Sequence, residues 1–509
     1  MISLKDFLYF LGVGVILLVY VENNSLIAKA QEPLQWTPQE RIPLYRQDTE
    51  EPPLLIVDQN HTVHAFNSQP LELADESSTK EVVYRQWTLA QGWTDPIDII
   101  VSPGGGDANV MGTYFDQTDV VHLVFEVGRT EIYYSQAPLA YAGQATAWSE
   151  PQLVGQQSLP TGPGLPYNAA IIGNNQGRLV IVYSGEHDGN GIYVTYSDDN
   201  GQIWSEPVSI FLTYDDKLIV ADPKLYRDHS GQIHAVWNTF NEGGIGVSGH
   251  YARLDIETKQ WSVPVEFDEG GVSLGIKFAT LTEHDNNLIL AYYGGKDNAN
   301  FWRQSSDGGL NWSSPVRISS RHVGTNGPLS FAVDSNNVLH AFFGQRINDN
   351  NHGMWHTIWT ASGWTEPRSV VRGPQVKDEV GGNGFDPRSA KAVIVNGNLI
   401  LVTWGTDGAA GVNGAWYSYA TLDTPELPAV PLIIPTDTPA KITTAPSVTP
   451  ALPTVTPSST QPSFSDEQND NRVNGVLSNP SAPLVIGLAP VVLLLVIVII
   501  RQFTQATRQ

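Results

Sequence analysis

There is no cysteine among the 509 residues, so whatever fold the chain adopts is held by packing and not by disulfides. Charge is sparse as well. Only 16% of residues are Asp, Glu, Lys or Arg, and the basic ones are the minority, 28 against 52 acidic, for a net charge of −24. That balance excludes nucleic acid as a default partner and describes a soluble, anion-repelling surface. No window of about 12 residues carries a sustained helical period, which leaves helix to the two ends of the chain. Aromatics, by contrast, reach 10%, which suits a β-rich and heavily turned domain.

What the chain does have is repetition. Ser305–Trp312 reads SSDGGLNW and runs into SSPVRI; the same block stands earlier as Ser197–Trp204, SDDNGQIW, running into SEPVSI. The Trp-(Ser/Thr)-x-Pro tail of the block recurs at Trp93, Trp148, Trp204, Trp261, Trp312 and Trp364, with a looser copy at Trp36. Successive spacings are 57, 55, 56, 57, 51 and 52 residues. A fixed period of this size belongs to a propeller or a solenoid.

A second pattern falls between the tryptophans: a turn with Asp, Asn or Gly, then an apolar run ending in an aromatic. Examples are DQNHTVHAF (58–66), DHSGQIHAVW (228–237) and DSNNVLHAFF (334–343), and there are seven copies in all. Each unit has room for four short strands, which is one propeller blade. The last inner set, ending near Ala420, has no Trp-x-x-Pro strand after it, and Trp36 has no inner strands before it. Trp36–Ile42 is therefore expected to supply the outer strand of the seventh blade, closing the ring and removing its exposed edges. The expected fold is an all-β, seven-bladed propeller of four-stranded blades. Six blades is the alternative if 36–66 is not a true repeat.

The ends define the remaining segments. Residues 1–30 read as a signal peptide: Lys5, an apolar run over Phe7–Val21, then Ala28-Lys29-Ala30 before Gln31. The propeller occupies 31–423, and a Pro/Thr/Ser-rich stalk covers 424–481. Ala482–Ile500 is apolar enough for a transmembrane helix of about 28 Å. With Arg501 and Arg508 behind it, residues 501–509 form a cytoplasmic tail. The expectation is thus a monomer held outside the cell on a single membrane span.

Ser197–Trp204 and Ser305–Trp312 resemble Asp-boxes, the S-x-D-x-G-x-x-W turns of sialidase-type and bacterial-neuraminidase-repeat propellers. The resemblance extends over 34–423 as architecture. It implies that Ser197, Asp199, Gly201 and Trp204, with Ser305, Asp307, Gly309 and Trp312, are structural, on the face opposite the ligand site. It also implies work on glycans, as a carbohydrate-binding protein or a sialidase-like exo-glycosidase. An enzyme of this family carries an Arg-Ile-Pro motif, three arginines on the substrate carboxylate, a Tyr–Glu pair and an acidic group. Arg41-Ile42-Pro43 matches the first, but its register aligns with Arg317-Ile318 on an outer strand, whereas Glu51 stands near the place where that arginine enters the innermost strand.

Ligands meet a propeller at the mouth of its channel, on the loops entering innermost strands and leaving second strands. Those loops supply Asp107, Glu186, Asp222 and Asp386 as candidate catalytic carboxylates, since glycoside hydrolysis needs two at a set separation. They supply Arg129, Tyr167, Lys224, Arg346 and Arg388 as candidate substrate-binding groups, guanidinium pairing bidentately with carboxylate. No cofactor is required, although the acidic loop Glu186–Asn190 has oxygen ligands suited to Ca²⁺. His64, His122, His234 and His340 occupy one place in four blades. Equivalent positions are spread around a ring and cannot converge on one ion, so they read as packing residues. The rival reading of the whole is a non-enzymatic surface receptor or scaffold binding another protein.

Overall fold

The computed structural model describes residues 34–46, 51–70, 79–128, 130–156, 168–174, 176–215, 217–267, 275–294, 299–320, 327–345, 353–372, 387–406 and 414–432. They lie in the first of two compact units, Met1–Thr438. The expected leader, most of the stalk and the membrane helix lie outside the described residues, among which no helix is long and apolar enough to cross a membrane.

These residues form seven antiparallel sheets. In chain order, the innermost strands of blades 1 to 7 are Leu54–Val57, Ala108–Phe115, Ala169–Gly173, Leu218–Arg227, Lys277–His284, Ser330–Val333 and Pro387–Val395. Each pairs with a second strand, then a third, then an outer one, so the count is seven and not six. The second strands are the most apolar because neighbouring blades cover both their faces; Leu179–Gly185 (LVIVYSG) is buried at every position.

Blade 7 takes its outer strand from the N-terminal side. Glu40 and Arg41 pair with Tyr417 and Trp416, and Thr37 N and Ile42 N donate to Tyr419 O and Ala415 O at 3.0 and 2.9 Å. Arg41 lies on this outer strand with its guanidinium over the Trp416 ring, 5.6 Å from the centroid. A latch follows. Arg85, fully buried, donates to Pro43 O at 2.7 Å and to Gln69 Oε1 at 3.1 Å, while Gln69 Nε2 donates to Leu44 O. The first residues of the expected stalk cross the same seam, with Leu427 N donating to Asn396 O and Val430 N to Gln59 O, each at 2.7 Å.

The two S-x-D-x-G-x-x-W segments lie between third and outer strands. Ser197 Oγ donates to Asp199 Oδ1 at 2.8 Å and accepts from Gly201 N at 2.9 Å, while Asp199 Oδ1 also accepts from Ile203 N. Ser305, Asp307, Gly309 and Asn311 repeat the pattern. Hydrogen bonds from Asn311 and Ser305 hold the Asp307 carboxyl down at about 2. Trp204 and Trp312 then stand edge-on to Tyr134 and Tyr251 of the preceding blades, at 4.9 and 5.1 Å.

The four equivalent histidines are buried relays and not ligands. His64, His122 and His234 hydrogen-bond through Nδ1 to Tyr84, Tyr134 and Tyr251 Oη at 2.6–2.7 Å. Their Nε2 atoms meet Asp58, Asp116 and Asp228 in the turn before the second strand. In blade 6 the relay runs Asp334–His340–His356. Each relay ties a turn to the third strand across the blade. The aspartate was visible in the repeated turn; its pairing with the histidine required the hairpin.

An acid-sensitivity follows from burial. His234, His250, His340 and His356 are all buried, which pushes each below its ordinary 6.5, His250 to about 4. The unfolded chain protonates these rings near 6.5 while the folded chain keeps them neutral, so the unfolded state binds more protons as pH falls. Stability is full above 6.5 and declines below it, His250 alone contributing about 3 kcal/mol of loss by pH 4. The urea midpoint should fall steadily between pH 7.5 and 4.5; a flat profile would show that these rings titrate normally.

Candidate functional site

Innermost strands run away from the mouth of the channel, and four of them carry a one-residue β-bulge. In blades 4, 5 and 7 it falls between Ala221 and Lys224, Lys277 and Thr280, and Arg388 and Lys391. The residue inside each bulge is left-handed, Asp222 (φ 58), Phe278 (φ 60) and Ser389 (φ 51). Such a bulge resets the side-chain alternation and re-aims the residues after it. Lys224 and Lys391 therefore occupy equivalent places in blades 4 and 7.

Those blades are not neighbours in the ring, so side chains from them meet only across the channel. Lys224, Asp222 and Glu51 all act electrostatically on Lys391. Burial, with Lys224 adding to it, pushes the Lys391 ammonium down to about 8, against the opposing pull of Glu51 and Asp222. Asp222 is 3% exposed and its Oδ1 accepts from Lys224 Nζ at 2.6 Å, while its Oδ2 is buried without a hydrogen-bond partner. Burial raises the Asp222 carboxyl, outweighing Lys224. Glu51, entering blade 1, accepts from Arg388 Nη2 at 2.7 Å through Oε1, and its Oε2 is also buried and unpartnered. Tyr45 Oη fixes the Glu51 backbone by donating to its carbonyl at 2.7 Å. Lys277 lies against the Phe278 and Tyr293 rings at 5.2 and 5.3 Å.

The channel thus gathers Asp222, Lys224, Glu51, Arg388 and Lys391. Two of the predicted carboxylates are exposed and are not among the charges that act on this cluster. Asp107 is exposed on its loop, where it accepts from Lys80 N at 2.9 Å and acts on Glu81. Glu186 is exposed in the hairpin turn after the second strand of blade 3 and acts on Tyr193. Neither is among the charges that act on Asp222. Asp386, Arg129, Tyr167 and Arg346 lie outside the described residues. Lys391 was missed, because a lysine in the middle of a strand gives no signal until the bulge turns it inward. Among the described residues no group of three or more His, Asp or Glu is placed to hold a metal ion.

No protein-family model matches the chain, and no curated protein does. Solved structures similar to it include a protein of unknown function from Dyadobacter fermentans, 15% identical with a TM-score of 0.46, covering 77% of this chain and 100% of that one. An ulvan lyase of polysaccharide lyase family PL25 is 11% identical with a TM-score of 0.46, covering 74% and 95%. The intramolecular trans-sialidase of Ruminococcus gnavus is 13% identical with a TM-score of 0.43, covering 75% and 96%.

Proposed function

We propose that the protein acts on glycans, drawing an acidic sugar into the channel and cleaving it as a sialidase-like exo-glycosidase. The observation that carries the reading is the meeting of Lys224 and Lys391, from non-adjacent blades, over Asp222 and Glu51. The chain has few cations, 28 against 52 acidic groups, yet Lys224, Lys391 and Arg388 converge here. Two ammoniums in one low-dielectric space repel each other, and an entering carboxylate relieves that repulsion. Asp222, whose carboxyl burial raises and whose Oδ2 has no hydrogen-bond partner, is the general acid; Glu51, held by Arg388, is the second carboxylate. A half-buried cluster around the buried Asp222 is reached by a small group and not by the surface of a protein, which favours a glycan over a scaffold's partner. The apolar run 482–500 is the segment that would hold the propeller at the cell surface.

A panel of fluorogenic glycosides, sialosides and uronides included, tests this on the full-length protein. Asp222→Asn should lower kcat by about 100-fold or more with KM little changed. Lys391→Met should raise KM by about tenfold or more through the lost charge pair. Affinity for the acidic sugar should fall as pH rises through about 8, where Lys391 loses its proton. Sugar binding without turnover on any glycoside would defeat the hydrolase reading.

A further inference from the structure

A cleft enclosing about 510 Å³ opens at the wedge between blades 6 and 7. Its walls are Leu34, Trp36 and Ile358, its floor includes His356, and Arg368 and Arg372 stand on its rim. The reason it exists is local. In blades 3 and 5, Gly201 and Gly309 seat the polar turn on Tyr134 Oη and Tyr251 Oη of the preceding blade. Between blades 6 and 7 the ring at that relay position is His356, and the sequence running into Trp36, Lys29–Gln35 (KAQEPLQ), carries no S-x-D-x-G motif. Trp36 stands edge-on to His356 and Phe342, at 5.8 and 5.9 Å.

Three features describe the occupant. The volume falls within the range of small-molecule sites, roughly 300–1,000 Å³, which suits one or two sugar rings. His356 uses Nε2 on His340 at 2.9 Å, and its Nδ1 has no partner among the described residues; burial pushes the ring well below its ordinary 6.5. Arg372 stacks over Trp355 at 5.4 Å and has no carboxylate partner among the described residues, while both rim guanidiniums are exposed. On a chain of net charge −24 these two cations beside an indole are a local reversal of sign, only partly offset by Glu366 on the same rim.

We propose that this wedge is a second carbohydrate site, separate from the channel, which takes a pyranose bearing a carboxylate. Trp36 and Pro367 cover the apolar faces of the ring, Ser369 and His356 meet its hydroxyls, and Arg372 pairs with the carboxylate. The site adds a second point of attachment on a polyvalent glycan, raising avidity without a new contact in the channel.

Calorimetric titration of the full-length protein with digalacturonate is the test, and two binding events are expected. The double variant Arg368→Gln/Arg372→Gln should lose one of them, with at least tenfold weaker binding and an unchanged melting temperature. Lys391→Met should lose the other. If the arginine pair removes one event and Lys391→Met removes none, the wedge site stands and the channel reading falls. The wedge site is overturned if the double variant titrates like the parent, if Lys391→Met abolishes all binding, or if no binding occurs. Displacement of digalacturonate by hexaglutamate in Lys391→Met would also overturn it, by making the wedge a site for acidic peptides.

Discussion

Gly309→Ala is expected to cost the propeller about 4 kcal/mol, one of the two largest effects of any single change foreseen here. Two penalties add. Gly309 sits at φ +82, a conformation that costs an L-residue roughly 1–2 kcal/mol. A methyl group there would also overlap Tyr251 Oη, and crowding a packed site costs about 1–3 kcal/mol. Tyr251 cannot simply retreat, because its hydroxyl is held at 2.7 Å by His234, which Asp228 holds in turn. The neighbour Gly308 supplies the control. It has φ +67 but nothing within 4 Å of an added methyl, so Gly308→Ala should show the backbone penalty alone. Urea denaturation of both variants decides the matter, and equal costs would refute the seating of the turn on the relay.

Arg85→Met is the second, with an expected loss of about 3 kcal/mol. The substitution strips the guanidinium donor from Pro43 O inside the protein, a stranded acceptor costing about 1–3 kcal/mol. It also takes one of two donors from Gln69 Oε1, which keeps Asn67 Nδ2 at 3.2 Å. Removing a buried cation recovers part of that, since burial already pulls the guanidinium down to about 10. The loss should be local in its signature. Amide exchange at Ile42 and Thr37, which bond to blade 7, should accelerate far more than exchange at the second strand of blade 3. Uniform acceleration would mean that Arg85 supports the whole ring and not its seam.

The architecture was legible in the sequence because its tryptophans mark one strand per blade, and each blade buries the same ring against the one before. The same regularity placed Arg41 on an outer strand, where it lies over Trp416. The site was less legible. Asp222, Lys224 and Arg388 are legible because they stand near Gly- or Pro-marked entry loops, whereas Glu51 is marked in the sequence only as the residue near the place where the family's arginine would enter the innermost strand. Yet Asp222 sits inside a ten-residue strand, Leu218–Arg227, and Lys391 inside another. Only the bulges, two residues opposing one, turn those side chains to the channel. Alternation of polar and apolar residues, read straight along the chain, carries no mark of where the count slips. Asp107 and Glu186 were chosen by the same loop rule, but their surroundings are solvent-facing turns, which a sequence cannot distinguish from a channel wall.

The seam in blade 7 also sets a schedule. Ser418 Oγ donates to Thr37 O across 381 residues, and closing a loop of that length costs on the order of 5 kcal/mol in chain entropy. During synthesis the strand that must fasten the circle is made first and its three partners last. Until Ala415–Thr421 has been made, the growing chain is an open crescent whose first and last blades each show an uncovered flank. Such flanks invite association with other chains. The early strand therefore waits through the making of six blades, and the final step of folding is the step at which the sticky ends disappear.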